Sequence, residues 1–303
     1  VGHARGGMIG SALANVMEAA GYDVVREYYL NDAGNQIDRF NESLYARYFQ
    51  IFDQPVDLPS DGYHGEYILE LAEEIKVEEG DRFLSMVKTD GIRELGKIGL
   101  RKTVDLIRSD LEIVNVWFDV WFSERSLYTG GQYDRVMRIL EEGDHVVDKE
   151  GARWFTSIEL GDDGDCVLVR STGAPTYFAS DIAYHYEKFV DRSFDLVIDV
   201  WGADHQGHVP RLKAAVTELG ISPDRLHILI SQLVTLKRRD EIVRLSKRSG
   251  NLVTLRDLVD MVGTDACRFF FLSRSPEIQM EFDLELALEQ SNENPVYYIQ
   301  YAH

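Results

Sequence analysis

From Met8 to Ala20 apolar and small residues recur at helical spacing, and Gly21 supplies a stop. Asp23 to Leu30 then reads as a strand. A polar loop, Asn31 to Gln36, precedes a return to the helical period over 37–53. Asp57 to Tyr63 carries Pro59 and Gly62 and reads as a turn, and two helical stretches follow over 65–79 and 90–110. Val114 to Trp121 alternates as a strand, and short β-like runs between Glu150 and Val169 are broken at Gly151, Gly161 and Gly164. From Pro175 the spacing predicts a helix over Thr176–Val190, a buried strand over Phe194–Trp201 and a helix over Val209–Leu219. One apolar run of strand length covers Leu226–Leu236, and helices near 254–262 and 264–272 follow a basic loop. Helices and strands alternating in this way predict a parallel α/β sheet with a mixed α/β excursion in its middle.

With 303 residues the chain can bury a substantial core in one large or two modest domains. Cys166 and Cys267 are far apart and fit no metal-ligand pattern; both read as core residues, and a reducing cytoplasm is the expected compartment. No apolar run reaches membrane-spanning length. A formal charge of -20 excludes a surface that is basic throughout, so RNA would have to be met through local patches. Arg93, Lys97, Arg101 and Lys102 form one candidate, and Lys237, Arg238 and Arg239 with Arg244, Lys247 and Arg248 form another.

Five stretches carry candidate chemistry. Arg244 to Asn251 places cations and hydroxyls around Gly250, and Lys247 is a compact charge on a flexible stem that could lie across a phosphate chain. The alternative is a solvated basic turn. At the other end, Gly2 to Gly10 leads into the first helix, where free N–H groups and His3 can donate to phosphate oxygens. The same glycines would also serve tight helix packing. Gly202-Ala203-Asp204 follows directly on the strand 194–201, at the carboxyl end where doubly wound sheets place ligands, and a carboxylate there can accept both hydroxyls of a ribose. Tyr177 and Asp181 stand four apart on one helix face; a carboxylate so placed can take a guanidinium fork, or be a surface acid beside a half-buried ring. The polar run Asn31 to Gln36 either orders a site rim or contacts a ligand.

Taken together, these stretches resemble the paired signatures of class I aminoacyl-tRNA synthetases. Gly2-His3 resembles the second half of the HIGH motif, and Leu245-Ser246-Lys247 resembles the KMSKS loop, although the loop here reads Arg-Leu-Ser-Lys. Gly2 to Gly6, Tyr28 to Gln36, Tyr177 to Asp181, Gly202 to His205 and Asn294 to Tyr298 narrow the likeness to the arginyl-tRNA synthetase family. The chain begins inside the first motif, so the resemblance implies a catalytic-core fragment.

The implied fold is a Rossmann-type doubly wound parallel sheet. Residues 1–112 and 174–243 would be its halves, 113–173 an inserted α/β connective segment that helps receive the tRNA 3′ end, and 244–303 the KMSKS-like loop with a helical junction. The resemblance further assigns catalysis to His3 and Lys247. It assigns ATP binding to Gly2, His3, Gly202, Asp204, His205 and Lys247, and arginine binding to Tyr177, Asp181 and Gln206. ATP would arrive with Mg2+, with no metal site of the protein's own. L-arginine, ATP and tRNA(Arg) are the implied partners, with no membrane and a monomeric state. Another class I synthetase, a related nucleotidyltransferase and a non-catalytic RNA-binding relative remain as alternatives. A dinucleotide-dependent oxidoreductase fits poorly, because no G-x-G-x-x-G follows a strand with an acid at the expected distance.

Overall fold

Helix α1 (Gly2–Ala19) opens the computed structural model, which describes residues 2–156, 166–238, 241–242 and 253–303. The helix begins six residues before its periodicity shows, because Gly2 to Gly7 carry few side chains to mark a face. Strand β1 (Glu27–Leu30) is shorter than the pattern over 23–30 suggests. Pairing begins only at Arg26, whose carbonyl accepts from the backbone N–H groups of Asp119 and Val120.

Three helices follow, α2 (Asn35–Gln50), α3 (Glu66–Glu79) and α4 (Lys88–Glu112). They bury a core of their own that includes Phe40, Leu44, Tyr48, Ile68, Ile75, Phe83 and Leu95. Gly99 lets α4 approach α2 closely, since a Cβ there would lie 2.3 Å from the Leu44 side chain. Strand β2 (Val120–Ser123) then pairs in parallel with β1, Tyr29 opposite Phe122. The helical unit is therefore the crossover between two neighbouring parallel strands. The sequence pattern puts a strand over 114–121 and opens the inserted segment at 113. Instead Val114 and Val116 are buried with Ala4 and Met8, and the ladder starts at Val120. The mixed excursion begins after β2.

That excursion contains α5 (Glu124–Thr129), α6 (Gln132–Glu142) and the antiparallel strands β3 (Val146–Lys149), β4 (Ala152–Phe155) and β5 (Cys166–Val169). Helix α7 (Tyr177–Tyr186) ends in a π turn, Glu187–Asp191, within the helix predicted over 176–190. Strand β6 (Val197–Gly202), helix α8 (Val209–Glu218) and strand β7 (Leu226–Ser231) form a second parallel unit, with Gly202 opposite Ser231. The expected single sheet is thus present, among the described residues, as two parallel pairs. Helix α7 bridges them: the Tyr184 ring packs 4.7 Å from Tyr29 and 4.6 Å from Phe122, while His185 reaches Asp199 on β6. Gly6 and Gly10 of α1 lie against Val200 of β6, where an added Cβ would make only ordinary contact, so the packing of α1 on β6 does not require glycine at either position.

The run 226–236 is not one strand. Strand β8 (Val234–Arg238) belongs to a different sheet, with β9 (Glu241–Ile242) on one side and β10 (Met280–Asp283) on the other. Between them come α9 (Leu255–Val262), with a Thr254–Asp257 capping box, and α10 (Thr264–Leu272); α11 (Leu284–Leu288) and α12 (Pro295–Ala302) follow β10. The chain breaks from β7 to β8 at Gln232, whose N–H donates to the Pro276 carbonyl and whose own carbonyl accepts from Arg5.

Arg5 is fully buried, and its guanidinium donates to five carbonyl oxygens. These belong to Gln232 (3.2 Å), Phe271 (3.4 Å), Arg274 (3.3 Å), Ser275 (2.9 Å) and Ile278 (3.0 Å). Five donors in a fixed fork match this ring of acceptors, whereas an ammonium offers three. Arg5→Met should therefore lower the unfolding free energy by about 3–5 kcal/mol, with Arg5→Lys recovering only part. Chemical denaturation measures this, and a loss below about 1 kcal/mol for Arg5→Met would show that the ring does not hold the lobes together.

Candidate active site

The carboxyl ends of β1 and β2 lie side by side. Asp32, buried just past β1, accepts the Ser123 hydroxyl at 2.6 Å and the Arg125 backbone N–H at 3.0 Å. The Arg125 guanidinium returns to the Asp32 carbonyl at 2.8 Å. A carboxylate at the first turn of α5 satisfies free N–H groups there and ties the loop after β1 to the helix after β2. Of the two roles open for Asn31 to Gln36, Asp32 takes the ordering one. Asn35 and Gln36 instead line a surface cleft with Arg39, Asp61, Gly62 and Tyr63.

Asp32 thereby fixes Glu124, the first residue of α5. Glu124 is 3% exposed, is hydrogen-bonded by Ser180 of α7, and leaves Oε2 with no partner among the described residues. The Ser180 hydroxyl also lies 2.6 Å from that of Tyr128. Beside Ser180 stands Asp181, half-buried, its carboxyl pushed up to about 7 by burial and by the charges of Asp199 and Glu124, with Lys188 opposing. Burial also raises Glu124, helped by Asp32, and the Ser180 hydrogen bond works against it. The Tyr29 and Tyr128 hydroxyls are raised by burial and then by these carboxylates. Tyr177, half-exposed, faces Glu124, Tyr63 and Arg170 electrostatically.

The pair expected from sequence, Tyr177 and Asp181, is therefore joined by Glu124, Tyr29 and Tyr128, which sequence reasoning missed. Glu124 did carry a signal, since like Asp204 it follows directly on a strand end. Two crowded carboxylates, whose rise at Asp181 Lys188 only partly opposes, are suited to a positively charged group with several donors.

At the carboxyl end of β6, Asp204 opens a 3-10 turn, Ala203–His208, with its side chain 82% exposed and His205 Nε2 3.6 Å away. Opposite Gly202 on β7, Ser231 is buried with its Oγ unpartnered among the described residues. Arg5 bonds to Gln232, the residue after β7, so the Gly2–His3 turn of α1 comes to this same end of the sheet. Gln206 is exposed and makes no hydrogen bond or ion pair with Tyr177 or Asp181. The His3 side chain, Lys247 and the rest of Arg244 to Asn251 lie outside the described residues.

Several cations of the basic patches that lie among the described residues are paired with acids. Arg93 pairs with Asp90 at 2.9 Å, Lys97 with Glu94 at 2.8 Å, Lys102 with Glu78 at 2.6 Å and Lys237 with Glu281 at 2.7 Å. Cys166 and Cys267 are buried, and burial pushes the Cys267 thiol up to about 12. No described helix is long and apolar enough to cross a membrane.

A family model described as the catalytic domain of class I (R) tRNA synthetases matches residues 1–271. The chain belongs to that family. Among curated members, the arginine–tRNA ligase of Dehalococcoides mccartyi strain BAV1 is 55% identical over 303 residues, all of this chain and 54% of that protein. The Carboxydothermus hydrogenoformans arginine–tRNA ligase is 50% identical over the same span. The chain spans about half the length of the curated relatives it matches. A solved Campylobacter jejuni protein, 37% identical, superposes over 100% of this chain and 66% of its own with a TM-score of 0.89. Thermus thermophilus arginyl-tRNA synthetase, 20% identical over 100% of this chain and 60% of its own, shares the fold with a TM-score of 0.72. The architecture is the α/β class I synthetase fold, and the crowded acids lie within the matched catalytic domain.

Crowding has a stability cost with a definite sign. Asp181 binds its proton more tightly folded, near 7, than unfolded, near 3.8. Its contribution is complete below about pH 4 and is lost as pH rises to 7, at up to about 1.4 kcal/mol per pH unit. Asp181→Asn should flatten this decline and be the more stable protein at pH 8. Denaturant titrations at pH 5 and pH 8 measure the difference, and parallel declines for both proteins would refute it.

Proposed function

We propose that the chain is the catalytic part of an arginine–tRNA ligase, which activates L-arginine with ATP and transfers it to the 3′-terminal adenosine of tRNA(Arg). The observation that carries this reading is the pair of crowded carboxylates, half-buried Asp181 and buried Glu124, the latter with an oxygen unpartnered among the described residues. A guanidinium is planar, permanently charged and able to donate to both. Tyr177 would fix its stem, and Gln206 belongs to the same proposed contact set. The membership and names of the relatives support arginine as the amino acid.

ATP would lie at the carboxyl end of β6, its ribose on Asp204 beside Gly202 and His205, and its phosphates between Gly2-His3 and Lys247. The orphaned Ser231 hydroxyl fits a polar ligand there. The arginine carboxylate attacks the α-phosphorus, the bond to pyrophosphate breaks, and the adenosine hydroxyl of tRNA then displaces AMP from the arginyl group. No covalent enzyme intermediate is needed; positioning and charge stabilisation carry the reaction. Mg2+ would accompany ATP and offset phosphate charge. The Rossmann-type doubly wound architecture, the four segments drawn from the sequence with the inserted one opening after β2, a monomeric state and a cytoplasmic setting belong to this same reading.

Arginine-dependent ATP–pyrophosphate exchange by the complete gene product, with tRNA present, tests it. Asp181→Asn or Glu124→Gln should cost about 2–5 kcal/mol in apparent arginine affinity while the ATP KM changes little. Lys247→Ala should instead slow exchange, by about 2–4 kcal/mol of transition-state stabilisation. Unchanged arginine dependence in both carboxylate variants would refute arginine as the substrate, and near-normal exchange by Lys247→Ala would refute its catalytic role.

A further inference from the structure

Glu27 and Tyr29 alternate onto one face of β1, and Phe122 of β2 stands opposite Tyr29. Tyr184 of α7 meets all three. Its ring centre lies 4.7 Å from that of Tyr29 and 4.6 Å from that of Phe122, and its hydroxyl donates to Glu27 Oε1. After α7 the π turn closes with the Arg192 N–H donating to the Glu187 carbonyl at 2.9 Å. The Arg192 guanidinium is thereby brought back onto β1. Its Nη1 donates to Glu27 Oε2 and its Nη2 to Glu27 Oε1, the latter at 3.0 Å. Glu187 Oε2 takes the other side of the same fork, 3.0 Å from Nε and 2.8 Å from Nη2. The rings of Phe122 and Phe194 lie 5.5 and 5.1 Å from the guanidinium carbon. The Glu27 side chain, 11% exposed, thus accepts from a phenol and from a bidentate cation, and its charge is costly at that depth without them.

This network sits at the joint that sets the acid pair. Asp181 stands three residues before Tyr184 on the same side of α7, and Glu124 follows Phe122 by two residues where β2 gives way to α5. A slide of α7 along β1 would therefore change the separation of the two carboxyls. Ring contacts tolerate a small slide, whereas directed hydrogen bonds onto one carboxylate do not. We propose that Glu27, Arg192 and Tyr184 form a latch that fixes how far Asp181 stands from Glu124, and so sets the length of guanidinium side chain the site accepts. The inference rests on the reading of Asp181 and Glu124 as the arginine-binding acids. All three latch residues are positioning residues, acting through α7.

Arg192→Met removes the fork and keeps an apolar stem, while Glu27→Gln keeps the shape and removes the charge. Homoarginine, the same guanidinium on one more methylene, probes the spacing in ATP–pyrophosphate exchange by the complete gene product with tRNA present. The unmodified protein should prefer arginine by about ten-fold or more in kcat/KM. That preference should fall by about three-fold or more in Arg192→Met and in Glu27→Gln, with the ATP KM held within about two-fold. Arg192→Lys, which keeps a cation but loses the fork, should recover part of the preference. Tyr184→Phe, which removes one hydroxyl and leaves the ring, gives the same readout should Arg192→Met fail to fold. Equal use of the two amino acids by the unmodified protein would overturn the latch. So would a preference that survives in the variants while activity or stability falls, which is what a merely structural network gives. Exchange supported by citrulline as well as by arginine in the unmodified protein would instead overturn the arginine reading beneath it.

Discussion

Arg5 sits entirely out of water with five carbonyl oxygens around its guanidinium, drawn from the break at Gln232, the end of α10 and the loop into β10. An uncompensated donor at that depth would be costly, so the three segments are held wherever the fork points. One of them is the joint between β7 and β8. On its β7 side the strand ends opposite Gly202; on its β8 side the chain runs toward the basic loop. The start of α1, the turn at Asp204 and the strand leading toward Lys247 are thus referred to a single side chain. Helix α1 completes the arrangement by resting on Val200 of β6 along Gly6 and Gly10.

The acidic side of the candidate site is built on the opposite electrostatic principle. There the protein concentrates acids: Asp32 caps α5, Glu124 follows with one oxygen idle, and Asp181 stands next to the serine that bonds Glu124. Like charges gathered in a dry space raise one another's proton affinity unless a cation joins them. Asp199 adds to that tension from behind α7, its partner Lys188 opposes part of it, and the remainder is left for a ligand. Aromatic packing of Tyr184 against Tyr29 and Phe122 holds the two parallel units at the spacing this requires.

Much of this was legible in the sequence because it depends on local spacing. Tyr177 and Asp181 share a face by the helical period, and Asp204 follows a strand that the apolar run 194–201 announces. Glu124 was hidden for a topological reason: its place at the pocket follows from the pairing of β2 with β1, some ninety residues apart, across a helical crossover with a core of its own. The strand pattern over 114–121 is real alternation, but its first half packs under α1 and makes no ladder. Arg5 lies within a glycine-rich stretch that suggests phosphate chemistry, and only its burial reveals a structural cation. The patch at Arg93 to Lys102 looked basic because sequence lists charges without their partners; Asp90, Glu94 and Glu78 neutralise most of it.

The central claim is that an arginine guanidinium supplies the charge that Asp181 and Glu124 lack. Burial and the neighbouring acids push the Asp181 carboxyl up to about 7 without it, so a guanidinium that binds the ionised form expels a proton. Calorimetric titration of arginine at pH 6.5, repeated in buffers of different ionisation enthalpy, measures that release directly. The account predicts a net release that shrinks as pH rises toward 8. Heats that do not depend on the buffer would contradict it.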